Sequence, residues 1–142
     1  MRSKIALFFR IKNERKILLA YGLYLAIYSH FIFLYNKKKA RFGNEKSTLF
    51  REKEFTITHV IDVRFVIKIL IKYIPWEFMC RHQAWVAGFL LKKYQIPFTV
   101  YVGFKKNSLG IIEGHAWTIA YDIMVSGFCD PTEYVIQAKY CG

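Results

Sequence analysis

Cysteine and histidine are both present in this chain, and the two can pair as nucleophile and base. The chain has three cysteines, Cys80, Cys129 and Cys141, and four histidines, His30, His59, His82 and His115. Cysteine attacks a carbonyl only as thiolate, and a helix N-terminus lowers its pKa because unpaired backbone N–H groups and the dipole favour negative charge. Cys80 stands at such a place. The run from Pro75 to Tyr94 reads as a helix beginning near Cys80, with Lys92 and Lys93 complementing its negative end. Cys129 reads as a core residue and Cys141 as part of a frayed terminus, so neither opens a helix.

The base must be one of the histidines. His82, two residues beyond Cys80, lies about 200° round the helix and points away. His115 opens an alternating run, with Trp117, Ile119 and Tyr121 on its face and Ala116, Thr118 and Ala120 between them, which reads as a strand. A two-residue loop at Asp122-Ile123 sets Asp130 opposite His115, at the cross-strand spacing where a carboxylate fixes an imidazole's tautomer. A loop one residue longer turns Asp130 to the other face, and Asp122 is then the fallback third residue. The plainer alternative is that Cys80 and His115 are structural, since free cysteine is often simply buried.

A metal would have to gather Cys80, His82, His115 and Cys129, but Cys-x-His on a helix splays the ligands, so neither metal nor cofactor is expected. Three cysteines at wide spacing, with no Cys-x-x-Cys pair, also argue against a disulfide scaffold or a zinc ribbon and suit a reducing cytosol. The apolar start at residues 4–9 is cut short by Arg10, Lys12, Arg15 and Lys16, so a secretory signal is not expected.

The elements that must hold this pair follow from periodicity. Residues 17–35 are nearly all apolar, broken by Ser29 and His30, with Asn13 as a candidate N-cap and Lys37 to Lys39 beyond. At about 19 residues this is near the minimum for a membrane span, and buried, interfacial and spanning readings all stay open. Residues 36–56 read as a polar loop or linker. From Thr58 a helix returns, with Arg64, Lys68 and Lys72 as a polar stripe beside Val63, Val66, Ile67, Leu70 and Ile71, and a stop at Pro75. Ala84, Ala87 and Gly88 lie near the Cys80 face and let that helix sit tight on a sheet. Phe98, Val100, Val102 and Phe104 alternate as a strand, and a last apolar run spans Met124 to Cys129. Helices first and an antiparallel sheet last make the fold class α+β.

Composition sets the limits. With 142 residues, 54% hydrophobic and 18% aromatic, the chain is too apolar for disorder and long enough for one core. The net charge of +12 is lopsided: residues 1–46 hold half of the 22 Lys/Arg and, among acids, only Glu14 and Glu45. That divides the chain into a basic helical region, 1–46, and a core, 47–142, within one compact unit. Such a field attracts nucleic acid, anionic lipid or an acidic peptide without naming one; the expected partners do not include nucleic acid.

The order of the segments resembles the lasso peptide biosynthesis B2 protein family. The resemblance rests on Cys80 opening a helix that ends at Gln95-Ile96-Pro97, the run Val102-Gly103-Phe104, and the strand His115-Ala116-Trp117. A basic start and a long apolar helix ahead of Pro75-Trp76 extend it over nearly the whole chain. Arg81 after the cysteine and Gly114 before the histidine depart from the pattern. Asp130-Pro131-Thr132 resembles the Asp that follows the histidine strand in transglutaminase-like folds. The resemblance implies N-terminal helices followed by a transglutaminase-like, papain-like core with the nucleophile helix on a small antiparallel sheet. It implies a triad of Cys80, His115 and Asp130 that removes the leader from a ribosomally made precursor peptide. It also implies two partners, a separate leader-recognition protein and an ATP-using lasso cyclase. The expected location is cytoplasmic, with peripheral membrane contact through residues 17–35 left open. The competing readings are an acyltransferase or amidase acting on another protein, and a basic, membrane-attached binding protein without catalysis.

Overall fold

A computed structural model describes residues 12–35 and 57–142. The basic start and the loop or linker expected at 36–56 lie outside these residues. Three helices come first: α1 (Asn13–Tyr35), α2 (Ile57–Tyr73) and α3 (Cys80–Lys93). Strands β1 (Thr99–Lys106), β2 (Ile112–Ala120), β3 (Ile123–Ser126) and β4 (Val135–Cys141) follow, with a short 3-10 turn at Pro131–Glu133. The strands form one antiparallel sheet in the order β3-β2-β1-β4. The α+β class and the helix-on-sheet arrangement read from the sequence are both present.

Side-chain size explains the close packing. Ala84, Ala87 and Gly88 are buried on α3, and a Cβ on Gly88 would come within 3.1 Å of the Phe98 ring. On α1, a Cβ at Gly22 would lie 2.7 Å from Val66 Cγ1, so this glycine sets how near α1 approaches α2. Leu18, Leu25, Val63, Ile67, Leu90, Val100, Ala116 and Val125 join in one apolar core shared by helices and sheet. Two polar pairs are satisfied at its edge and inside it. Arg15 Nε donates to Asp62 Oδ1 across α1 and α2, and Ser126 Oγ donates to Thr118 Oγ1 at 2.9 Å between buried strand residues. Ile71, read as part of the apolar face of α2, is instead 39% exposed.

α1 is long and apolar enough to cross a membrane by length and composition, and 33% of its apolar window is buried. It packs Leu18, Leu25, Ala26 and Phe33 inward and exposes Ile17, Tyr24, Phe31 and Leu34. Core helices of soluble proteins pass the same length and composition test, so a soluble protein is compatible with this packing.

Three local expectations change. The β2-β3 hairpin turns at Tyr121-Asp122, one residue before the expected Asp122-Ile123, and pairs Ala120 with Ile123. Both turn residues have positive φ, 46° and 62°, the conformation that matches the twist of a tight hairpin. A bulge between Thr118 and Ile119 then shifts the register again, and the ladder stops at Ser126. Cys141 is not frayed: it lies in β4, opposite Thr99 on β1. Finally, β4 pairs with β1 at the sheet edge, although its largely exposed residues carry no clear two-residue alternation.

Candidate active site

Cys80 is the first residue of α3 and is half-buried. Met79 precedes it with extended backbone and offers no side-chain cap, so first-turn N–H groups stay open. The Arg81 N–H points at the Cys80 sulfur, and the Ala116 N–H reaches it from β2. The Cys80 sulfur thus takes the place of the missing cap.

His115 stands on β2 opposite Gly103 of β1. A Cβ at Gly103 would lie 2.8 Å from Val135 O and 3.2 Å from Trp117 Cη2, so only glycine leaves room for the indole there. Trp117, almost fully buried, stacks on its cross-strand neighbour Tyr101 at 5.6 Å and 10°. The His115 ring stacks on Tyr134 at 5.3 Å and lies 6.3 Å from Trp117. A wall of aromatic rings therefore limits how far the imidazole can swing.

The Cys80 thiol and the His115 ring are hydrogen-bonded to each other. His115 Nε2 lies 2.9 Å from the carbonyl oxygen of Gly127, to which it donates. With Nε2 committed, Nδ1 is the nitrogen left for the thiol, which is the tautomer a base needs. Burial pushes the Cys80 thiol up, but the His115 hydrogen bond, the Ala116 N–H, the imidazolium charge and the Arg81 N–H outweigh it and leave the pKa below that of an ordinary thiol. His115 moves the opposite way. Its bond to Cys80 raises it most, burial lowers it, the Gly127 carbonyl raises it and the Lys105 charge lowers it, for a net rise. A thiolate and an imidazolium that each stabilise the other account for both directions. Cys129 contrasts with Cys80: burial and the nearby Asp130 charge raise its thiol above an ordinary cysteine.

Asp130 is not brought to His115. Its exposed carboxylate accepts from Thr132 Oγ1 at 2.6 Å and Thr132 N–H at 3.0 Å, and these bonds hold it below the usual carboxylate range. Asp130-Pro131-Thr132 is here the N-terminal cap of the 3-10 turn. The shifted hairpin is the reason, since a ladder ending at Ser126 leaves no strand pair to carry Asp130 to His115. Asp122 sits exposed in the turn itself, away from the histidine. Sequence reasoning missed the groups that do touch or flank His115: the Gly127 carbonyl, and Gln83, whose Oε1 accepts from the Gly127 N–H at 3.2 Å. The available signal was Gln83's position, three residues after Cys80 and so on its side of the helix.

His82 does point away from Cys80. It is buried against Phe33 of α1, with ring centroids 4.8 Å apart, and its Nδ1 has no hydrogen-bond partner among the described residues. Burial, the Arg81 charge and His30 together push its pKa down to about 4. Among the described residues no group of three or more His, Cys, Asp or Glu could hold a metal ion.

Comparison with curated proteins and with solved structures returns no match. The sequence model of the transglutaminase-like superfamily does match, over residues 44–137, a span that holds α2, α3, the first three strands and both Cys80 and His115, and the chain belongs to that superfamily.

Proposed function

We propose that this protein is a cysteine peptidase that removes the leader from a ribosomally made lasso precursor peptide. The observation that carries the reading is the hydrogen-bonded pair of Cys80 at the open start of α3 and His115, with Nε2 of the histidine already held. The narrower substrate comes from the ordered motifs around Cys80, Val102-Gly103-Phe104 and His115-Ala116-Trp117.

In the reaction, the Cys80 sulfur bonds to the carbonyl carbon at the junction of leader and core. The oxyanion faces the helix start, where the Cys80 N–H is the proposed donor. The C–N bond breaks as His115 gives its proton to the leaving amine, which becomes the new N-terminus of the core peptide. Water then attacks the thioester, His115 takes its proton, and the leader leaves as a carboxylic acid. The freed amine is the group a separate ATP-using cyclase would join to a side-chain carboxylate.

The partners follow from this reading: the precursor, a leader-recognition protein that presents it, and the cyclase. The basic region 1–46 suits an acidic leader or recognition partner. Reversal of charge at Lys37, Lys38 and Lys39 is expected to weaken precursor binding in fluorescence anisotropy, and unchanged binding would count against that role.

The deciding experiment incubates precursor and recognition protein with the wild type, Cys80→Ala and His115→Ala, and follows the products by mass spectrometry. Wild type should release a leader with a free carboxylate, and both variants should lose activity by at least about a thousandfold. Undiminished cleavage by either variant would sink the mechanism. A leader recovered as an amide of an added amine would move the assignment to acyl transfer.

A further inference from the structure

Gln83 bridges two segments that no strand pairing joins. Its Nε2 donates to Phe78 O at 2.8 Å, on the chain leading into α3, and its Oε1 accepts from the Gly127 N–H on the loop after β3. The Gly127 carbonyl in turn accepts from His115 Nε2. One amide therefore ties the helix that carries the nucleophile to the loop that holds the base.

The loop can hardly take another path. A Cβ on Gly127 would lie 2.0 Å from Ala116 O and 2.8 Å from Trp117 Cα, and its φ is +64°, so the backbone lies against β2 where only glycine fits. Arg64 and Lys68 of α2 both lie over the ring of the next residue, Phe128, at 5.6 and 5.2 Å. With Phe128 gripped from one side and the Gly127 N–H from the other, the direction of the Gly127 carbonyl is set.

We propose that Gln83, acting through the Gly127 carbonyl, is the positioning residue for His115, in the role that a carboxylate would otherwise fill. The inference rests on the Cys80 and His115 reading above. A neutral carbonyl fixes the tautomer as a carboxylate does, but brings no full charge to steady the imidazolium. That charge is balanced instead by the thiolate, so the two groups titrate as a pair. Glutamine suits the bridge because its donor and acceptor ends are both used; a glutamate has no donor for Phe78 O.

The test is the pH dependence of Cys80 alkylation by iodoacetamide, with each cysteine resolved by peptide mass mapping and the fold checked by circular dichroism. Gln83→Met keeps the length and apolar stem and removes both hydrogen bonds. It should shift the Cys80 profile to higher pH and slow alkylation at pH 7 about tenfold. In a His115→Ala background the same change should add nothing, because Gln83 acts through the imidazole. Asp130→Asn should leave the profile in place. An effect of Gln83→Met that persists without His115, or a shift by Asp130→Asn as large as that by Gln83→Met, would overturn the proposal. If His115→Ala itself leaves the profile unmoved, the Cys80 and His115 pairing fails and the positioning role fails with it. If His115→Ala moves it and Gln83→Met does not, only the positioning role fails. Should Gln83→Met not fold, NMR of the neutral His115 ring in the wild type decides: a proton on Nε2 supports the role and a proton on Nδ1 overturns it.

Discussion

The first turn of α3 separates two histidine environments that differ in almost every respect. On the sheet side His115 meets a thiol, a backbone carbonyl and a row of aromatic rings, and it gains proton affinity. On the α1 side His82 meets Phe33, Phe78 and His30, its Nδ1 finds no partner among the described residues, and burial with the Arg81 and His30 charges lowers its pKa to about 4. Burial lowers both; what differs is whether a group able to carry negative charge stands next to the ring. An imidazole gains proton affinity where a thiolate can share its charge and loses it where burial and the Arg81 and His30 charges oppose protonation. Packing sets the first condition and chemistry the second.

The strongest way to break the sheet side is Gly127→Ala. The added carbon would meet Ala116 O at 2.0 Å and the residue would keep a positive φ, so backbone must move. The expected loss is at least about 3 kcal/mol in chemical denaturation. A fall of under about 1 kcal/mol would mean that the loop has another path.

Next in size is the coupling of thiol and imidazole. His115→Ala removes the largest group favouring the Cys80 thiolate while burial remains, so the thiol should titrate above its wild-type position. Iodoacetamide alkylation of Cys80 at pH 7 should slow roughly 10- to 100-fold. The sign is fixed by the pair: Cys80 loses its proton at lower pH than a free thiol, and His115 holds its proton to higher pH than free imidazole. Wild-type alkylation should therefore persist below the pH at which free cysteine stops reacting. Equal rates for both proteins would show that the two groups titrate independently.

Much of this arrangement was legible in the residues because it depends on local rules. A helix starting at Cys80, a strand through His115 and the outward turn of His82 all follow from period and spacing. The group that meets His115 Nε2 was not legible, for a physical reason. Where Asp130 ends up depends on a hairpin whose turn fell one residue early at Tyr121-Asp122, and on a bulge at Thr118/Ile119. The early turn moves the pairing two positions along the same face, and the one-residue bulge then turns every later side chain to the other face. A backbone acceptor such as Gly127 O leaves no mark in residue type at all, whereas the glycine that allows it does. The edge strand β4 was missed for a related reason: residues paired on one side only and largely exposed show little alternation.

The α1 side offers the smaller effect, and a pH signature distinguishes it from a packing change. His82 has a folded pKa near 4 against 6.5 in the unfolded chain, so the unfolded state binds the proton first as pH falls. Its contribution is full above pH 6.5 and is lost as pH drops towards 4. At pH 5 the loss relative to neutral pH is about 2 kcal/mol. His82→Leu removes that titration, keeps an apolar residue against Phe33 and deletes a ring nitrogen that has no partner. The variant should melt near the wild type at pH 7.5 and clearly above it at pH 5, by several degrees. Parallel loss of stability in both proteins between pH 7.5 and pH 5 would mean that His82 takes up its proton while folded. The contrast between the two faces of α3 would then rest on packing alone. Cys80 alkylation should be unchanged in His82→Leu, because the thiol's partners are His115 and the Ala116 and Arg81 N–H groups, and His82 is not one of them.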